Sequence, residues 1–140
     1  MGGWLSGLMV AVAVIVPGSA RADVVVQIDK SSQRMTVSLN GAARYNWPVS
    51  TGRSGYGTPS GEFRPQTMAR RWFSRKYYNS PMPHAIFFYY GFAIHGTTES
   101  GAARRPGLAW LCQVASVPCR GVVRLVQHDG PRNTRIMISN

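Results

Sequence analysis

The stretch that decides the fold is Phe92-Ala93-Ile94-His95-Gly96-Thr97, an apolar run of strand-forming residues that ends in His-Gly-Thr. A histidine at a strand end is one half of a thiol acyl-transfer site, because neutral imidazole can accept a thiol proton and return it to a leaving amine. The only cysteine close behind this run is Cys112, which follows His95 by 17 positions. Trp110 and Leu111 precede it, and apolar surroundings raise a thiol pKa. Taken alone, the sequence therefore favours a buried or disulfide-bonded Cys112 over a nucleophile.

Short strand-like segments lie on both sides of this run. Val24 to Ile28 is rich in β-branched residues, and Met35 to Leu39 alternates apolar with polar residues, as a half-buried strand does. Asn40-Gly41 indicates a two-residue hairpin turn, because both positions of a type I′ turn need positive φ. We expect further strands at Tyr45 to Val49, Gly61 to Thr67, His84 to Tyr90, Phe92 to His95 and Thr134 to Ser139.

Helix is scarce in this sequence. Val122 to His128 is a weak helix candidate, and Ser100 to Val123 shows neither a helical nor a strand period. Many short strands separated by turns predict one mostly β domain over residues 23–140, an antiparallel-rich sandwich or barrel.

The first 22 residues are expected to precede that domain. Trp4 to Val16 is an apolar run too short to span a bilayer, and small residues follow up to Ala22. This pattern is typical of a secretory signal peptide cleaved after Ala22, which places the protein in the periplasm or cell envelope. The alternative is an uncleaved membrane tether, because no Lys or Arg precedes the apolar run.

The chain is strongly basic, with 16 Lys and Arg against 5 Asp and Glu. Basic and aromatic residues alternate in Arg70 to Tyr78, a pattern typical of nucleic-acid surfaces. A nucleic-acid binder would need a cytoplasmic location, so export favours an anionic polymer of the envelope as the partner. For any single basic residue a solvated face explains the charge equally well. Arg120 and Arg124 could bind a substrate carboxylate bidentately, but a solvated face explains them better.

The cysteines and histidines do not form a metal-binding pattern. The three histidines are scattered, and Cys112 and Cys119 are not in a C-x-x-C spacing. Export would bring both thiols into an oxidising compartment, where six intervening residues allow a disulfide. The sequence leaves open whether the two cysteines pair.

Four motifs follow one another in a fixed order: Pro48 to Gly52, Gly57 to Phe63, Met82 to Phe88, and Phe92 to Thr97. In this order the chain resembles the L,D-transpeptidase catalytic domain family, over Val24 to Thr97 and again over Arg124 to Asn140. The resemblance implies a small β-sandwich of mixed sheets with one short helix.

The resemblance also implies a reaction and its residues. A cysteine thiolate attacks a peptidoglycan stem peptide, D-alanine leaves, and an amine acceptor takes the acyl group. His95 would be the general base and acid, and Cys112 would stand at the position of the nucleophile. Gly96 and Thr97 would shape the cleft, and His84 would line the acyl-donor pocket. No metal or organic cofactor is expected, because a thiolate, an imidazole and backbone N–H donors suffice.

The family's nucleophile motif, S-H-G-C-[VI]-R-L, is absent from the chain as written. Its place is taken by Gly107-Leu108-Ala109-Trp110-Leu111-Cys112-Gln113-Val114. Permitted codons for these residues, GGC CTC GCA TGG CTG TGT CAG GTT G, spell A-S-H-G-C-V-R-L when read one base later. We therefore expect a frameshift near Glu99 or Ser100 and a compensating one near Val123 or Arg124. Without the motif, the alternative function is an inactive peptidoglycan-binding domain.

Overall fold

The computed structural model describes residues 23–52, 57–75, 78–97 and 111–140, and of residues 111–118 it describes the backbone alone. Residues 1–22, the expected signal peptide, lie outside the described residues. The same holds for residues 98–110, where the expected frameshift begins.

The described residues form eleven strands and one helix. The strands are β1 (Val24–Asp29), β2 (Arg34–Leu39), β3 (Ala42–Ser50), β4 (Gly61–Phe63), β5 (Thr67–Ala69), β6 (Phe73–Ser74), β7 (Ser80–Pro81), β8 (Ala85–Tyr89), β9 (Phe92–Thr97), β10 (Leu111–Ala115) and β11 (Thr134–Ser139). The helix α1 is Ser116–Asp129, and a 3₁₀ turn at Pro131–Asn133 connects it to β11. Among the described helices, none combines the length and the apolar character that crossing a bilayer requires.

The alternation seen in the sequence becomes the alternation of burial. In β1, Val24, Val26 and Ile28 are buried, while the residues between them are exposed or half-buried. The turn after β2 has positive φ at both Asn40 (50°) and Gly41 (81°), which confirms the predicted turn.

Nine of these strands form a mixed sheet whose order is β4-β11-β1-β2-β3-β10-β9-β8-β5, and β6 pairs with β7 in a separate two-stranded sheet. Two pairs are parallel, β1 with β11 and β9 with β10, and the others are antiparallel. The long strand β3 joins the two halves, because it pairs with β2 over most of its length and with β10 at Val49 and Ser50. One apolar core takes residues from both halves and from α1. The predicted mixed β-sandwich with one short helix is confirmed.

Two sequence predictions need correction. Gly61 to Thr67 is not one strand, because β4 ends at Phe63 and β5 begins at Thr67; Pro65 between them has no N–H to donate to a ladder. The helix begins six residues earlier than predicted, at Ser116. Its buried residues Cys119, Val122, Val123 and Val126 follow i, i+3, i+4, i+7 spacing, a helical period that Cys119 completes.

Candidate active site

His95 lies in β9, which has neighbouring strands on both sides. Five consecutive residues of this strand are buried, and the side chain of His95 is only 2% exposed. An apolar run of this kind is typical of a strand covered on both faces. The same sequence feature that predicts the strand therefore removes the imidazole from water.

One hydrogen bond fixes the tautomer of His95. Its Nδ1 lies 2.7 Å from the backbone oxygen of Gly96. Because a carbonyl oxygen can only accept, Nδ1 carries the proton and Nε2 of the neutral ring has a free lone pair. Nε2 is buried and has no hydrogen-bond partner among the described residues. A buried polar atom without a partner is costly, so such an atom in a native structure points to a role outside packing.

The environment also sets the charge of this imidazole. Burial lowers the pKa of His95 to about 4, against a smaller opposite effect of the hydrogen bond to Gly96. The ring is therefore neutral at pH 7, which is the form that can accept a proton.

Cys112 lies on the strand beside this histidine. β10 runs parallel to β9, with Cys112 in register with Ile94 and Gln113 in register with His95. Neighbouring strands are about 5 Å apart, so the backbone of Cys112 lies one strand and one register position away from His95. The side chain of Cys112 lies outside the described residues.

The other cysteine has the wrong environment for a nucleophile. Cys119 is a free, buried thiol, so the disulfide that the sequence left open is not formed at this residue. Its Sγ donates a hydrogen bond to the backbone oxygen of His84 at 3.1 Å. Burial raises the pKa of Cys119 to about 12, which keeps it protonated and unreactive.

His84 precedes β8 in a turn, with φ of 55°. Its N–H donates to the backbone oxygen of Arg70 at 3.0 Å. Burial, and then the positive charges of Arg120, Arg70 and Arg124, lower the pKa of His84. The structure therefore places His84 among arginines, while His95 is enclosed in the sheet.

Gly96 and Thr97 complete the strand that carries His95. The Gly96 N–H donates to the backbone oxygen of Pro83 at 2.7 Å, and its own carbonyl accepts from His95. Thr97 is half-buried at the end of β9. Gly96 thus orients the imidazole and ties it to the turn of Pro83 and His84. Sequence reasoning missed this role of Pro83, because nothing local in the sequence signals it.

Within the described parts of the chain, no three His, Cys, Asp or Glu side chains are grouped so that they could hold a metal ion. At this site a neutral imidazole capable of acid-base chemistry lies next to a strand that carries a cysteine.

Comparison with known proteins identifies the family of the chain. A family model described as the L,D-transpeptidase catalytic domain matches residues 23–114, about two thirds of the chain. No curated protein matches the chain.

Several solved structures share the fold. An L,D-transpeptidase from Mycobacterium smegmatis superposes with a TM-score of 0.74 at 16% identity, over 85% of this chain and 59% of its own. One from Stackebrandtia nassauensis gives a TM-score of 0.73 at 18% identity, over 84% of this chain and 56% of its own. LdtMt1, solved in complex with imipenem, gives 0.73 at 16% identity, over 84% of this chain and 59% of its own. The chain thus spans less than two thirds of the length of these relatives.

Proposed function

The chain belongs to the L,D-transpeptidase catalytic domain family, and from this premise we propose that it is a cysteine acyltransferase acting on peptidoglycan stem peptides. The observation that carries the proposal is the buried Nε2 of His95, which has a free lone pair and no partner among the described residues. A general base needs this arrangement before its proton donor is in place.

The mechanism follows from the two strands. Nε2 of His95 takes the thiol proton of the cysteine on β10, and the thiolate attacks the carbonyl carbon of the donor peptide bond. The bond to the leaving D-alanine breaks, its nitrogen takes the proton from His95, and an acyl-enzyme remains. An acceptor amine then attacks the thioester and gives a proton to His95, the C–S bond breaks, and the departing thiolate takes that proton from His95, which restores the thiol and the neutral imidazole. Backbone N–H donors would stabilise the oxyanion in both steps.

We assign the remaining positions on the same basis. As the chain is written, Cys112 is the candidate nucleophile on β10, since Cys119 is buried and protonated. The register pairs position 112 with Ile94, whereas the shifted reading puts its cysteine at position 111, in register with Ala93 and on the face of the sheet that His95 shares. Gly96 holds His95 in the correct tautomer. Thr97 shapes the cleft at the end of β9, and His84 lines the side from which the acyl donor enters. A stem-peptide substrate also requires a site of action outside the cytoplasm, with residues 1–22 as the export signal.

We further propose that the nucleophile motif was lost to two compensating frameshifts. β10 lies beside β9, where the motif would have to deliver its cysteine, and the shifted reading spells the motif over the same segment. The gene sequence tests this proposal: codons for Gly107 to Val114 that do not spell A-S-H-G-C-V-R-L one base later would contradict it.

Acylation by a carbapenem tests the chemistry. LdtMt1 has been solved in complex with imipenem, so imipenem is the probe. We expect intact-mass spectrometry to show one covalent adduct on a chain with a competent thiol. The adduct should be absent from Cys112→Ser and retained in the matched variant Cys119→Ala.

A restored chain sharpens the experiment. In this variant, residues 107–114 are replaced by A-S-H-G-C-V-R-L, and the frameshift proposal predicts that it is acylated at least ten times faster than the chain as written. If neither chain forms an adduct although both are folded, the acyltransferase proposal is wrong.

The alternative function is a peptidoglycan-binding domain that keeps the cleft without the chemistry. The absence of S-H-G-C from the chain as written favours it. It predicts sedimentation with insoluble peptidoglycan together with no imipenem adduct on the chain as written.

A further inference from the structure

Two basic stretches that lie far apart in the sequence meet in one cleft. A cavity of about 530 Å³ is lined by Arg70 and Arg71, which follow β5, and by Arg120 and Arg124 of α1. His84 lies in the same lining. We call this cavity the arginine cleft. Its volume falls within the range of about 300 to 1,000 Å³ that is common for ligand pockets.

No carboxylate neutralises these four arginines within the described residues. The two ion pairs found there join His128 to Asp129 and Arg135 to Asp23. Asp29 is occupied by hydrogen bonds from Ser31 and Ser32. All four arginines are exposed, and without a carboxylate partner they create a positive field at the cleft that attracts an anionic ligand.

The remaining lining shows what kind of anion fits. Met68, Pro83 and Val123 add apolar surface to the same lining. Guanidinium forks bind planar carboxylates in a bidentate way, and the apolar surface suits the methyl and methylene groups of a short peptide. A peptide with several carboxylates uses both features, whereas a bare phosphate uses only the charge.

The arginine cleft adjoins the candidate active site. Pro83, in its lining, accepts a hydrogen bond from the N–H of Gly96, the residue after His95. Cys119 of α1 donates to the backbone of His84, which fixes the helix against the same turn. A peptide held by the arginines would therefore lie beside the strand that carries the general base.

We propose that the arginine cleft binds the carboxylates of a peptidoglycan stem peptide and so holds it next to the acyl-transfer site. This inference rests on the proposed function for the identity of the peptide. Its physical content is independent of the chemistry, because binding requires the four arginines and no thiol.

The test is a calorimetric titration of the full chain with a synthetic stem tetrapeptide, and with the same peptide after amidation of its carboxyl groups. We expect the amidated peptide to bind at least tenfold more weakly. This comparison uses the unmodified protein, so it does not depend on whether a variant folds. Equal binding of the two peptides would overturn the proposal.

Paired variants locate the site. Arg70→Gln/Arg71→Gln and Arg120→Gln/Arg124→Gln should each raise the Kd for the tetrapeptide at least tenfold. The matched control, Arg44→Gln/Arg132→Gln, removes the same charge from two exposed residues outside the cleft and should stay within twofold. Equal Kd values for all three double variants would overturn the proposal. If inorganic phosphate displaces the peptide at phosphate concentrations below the Kd of the peptide, the proposal is also overturned, in favour of a phosphate site.

Failure of this inference can be told apart from failure of the proposed function. If the tetrapeptide binds with the predicted dependence on the arginines but imipenem forms no adduct, the acyltransferase proposal fails and the arginine cleft stands. If imipenem forms its adduct but the cleft variants bind the tetrapeptide as the unmodified chain does, the arginine cleft fails and the acyltransferase proposal stands.

Discussion

His84 directly precedes β8, and His95 lies in the next strand, β9. Both have a pKa below the ordinary value for histidine, but for different reasons. At His95 the cause is burial inside a sheet, with a single hydrogen bond that fixes the ring. At His84 burial is joined by the charges of three arginines. The first environment makes a fixed, neutral base, and the second marks a surface that attracts anions. A low histidine pKa alone therefore does not identify a general base, because the geometry around the ring decides its use.

The largest expected effect separates the two histidines by chemistry. His95→Gln should lower the rate constant for acylation by imipenem at least about 100-fold, because the general base is lost. His84→Gln should lower it less than tenfold, since this residue lines the donor side without taking the proton. The rates are measured by mass spectrometry on both the chain as written and the restored chain. The exposed His128→Gln is the control and should react like its parent. Equal rates for His95→Gln and its parent would refute the assignment.

The second effect separates them by stability. The pKa of His95 is about 4 in the folded chain, against 6.5 for an unperturbed histidine. Below pH 6.5 the unfolded chain takes up a proton that the folded chain refuses, so stability is lost as pH falls from 6.5 to 4. The loss is on the order of 3 kcal/mol.

Urea unfolding at a series of pH values measures this loss. His95→Gln should remove most of the dependence of the free energy of unfolding on pH between 6.5 and 4, and His84→Gln should remove a smaller part of it. Asp29, whose pKa is lowered to about 2 by hydrogen bonds from Ser31 and Ser32, loses its contribution below pH 3.8 and does not interfere. An unchanged slope in His95→Gln would show that this imidazole is not desolvated.

The third effect uses salt. Raising NaCl from 0.1 to 1 M shortens the Debye length from about 10 Å to about 3 Å. This should raise the pKa of His84, because screening weakens the repulsion from the arginines. The pKa of His95 should stay the same, since no charged group contributes to its shift. NMR titration of the two imidazole resonances measures both values in one sample, and parallel shifts would mean that the two environments do not differ as described.

The smallest effect concerns the thiol that supports His84. Cys119→Ala removes a buried sulfur and its hydrogen bond to the His84 carbonyl, which should lower the free energy of unfolding by about 1 kcal/mol. Cys119→Ser retains the donor and serves as the matched comparison. Acylation by imipenem should be unchanged in both variants. Loss of the adduct in both would transfer the nucleophile assignment from Cys112 to Cys119.

Much of the fold could be predicted from local patterns. The alternation in β1 and β2 and the Asn40-Gly41 turn all fix local conformation, and the structure has them as expected. The start of α1 and the existence of β10 could not be predicted. β10 is defined by its pairing with β9 and β3, and a pairing between distant strands leaves no period in the short sequence of one of them.

In the candidate site, too, some features could be predicted from the sequence and others could not. His95 stands out in the sequence because it ends an apolar run, and the structure shows that this run buries it. The Gly96 carbonyl that sets its tautomer is adjacent in the chain, yet the bond depends on the rotamer that packing imposes. The separate environments of the two cysteines could not be predicted, because Cys119 is buried by long-range contacts.

The sequence by itself determined the family, the mostly β fold and the histidine of the site, because these depend on residue type and on short-range periods along the chain. Only the tertiary structure brought Arg70 and Arg71 together with Arg120 and Arg124 around His84. It also brought the strand of Cys112 next to the strand of His95. The physical reason is that charge and burial act through space and not along the chain. Groups separated by about 50 residues therefore influence one another once the sheet and α1 pack on a common core.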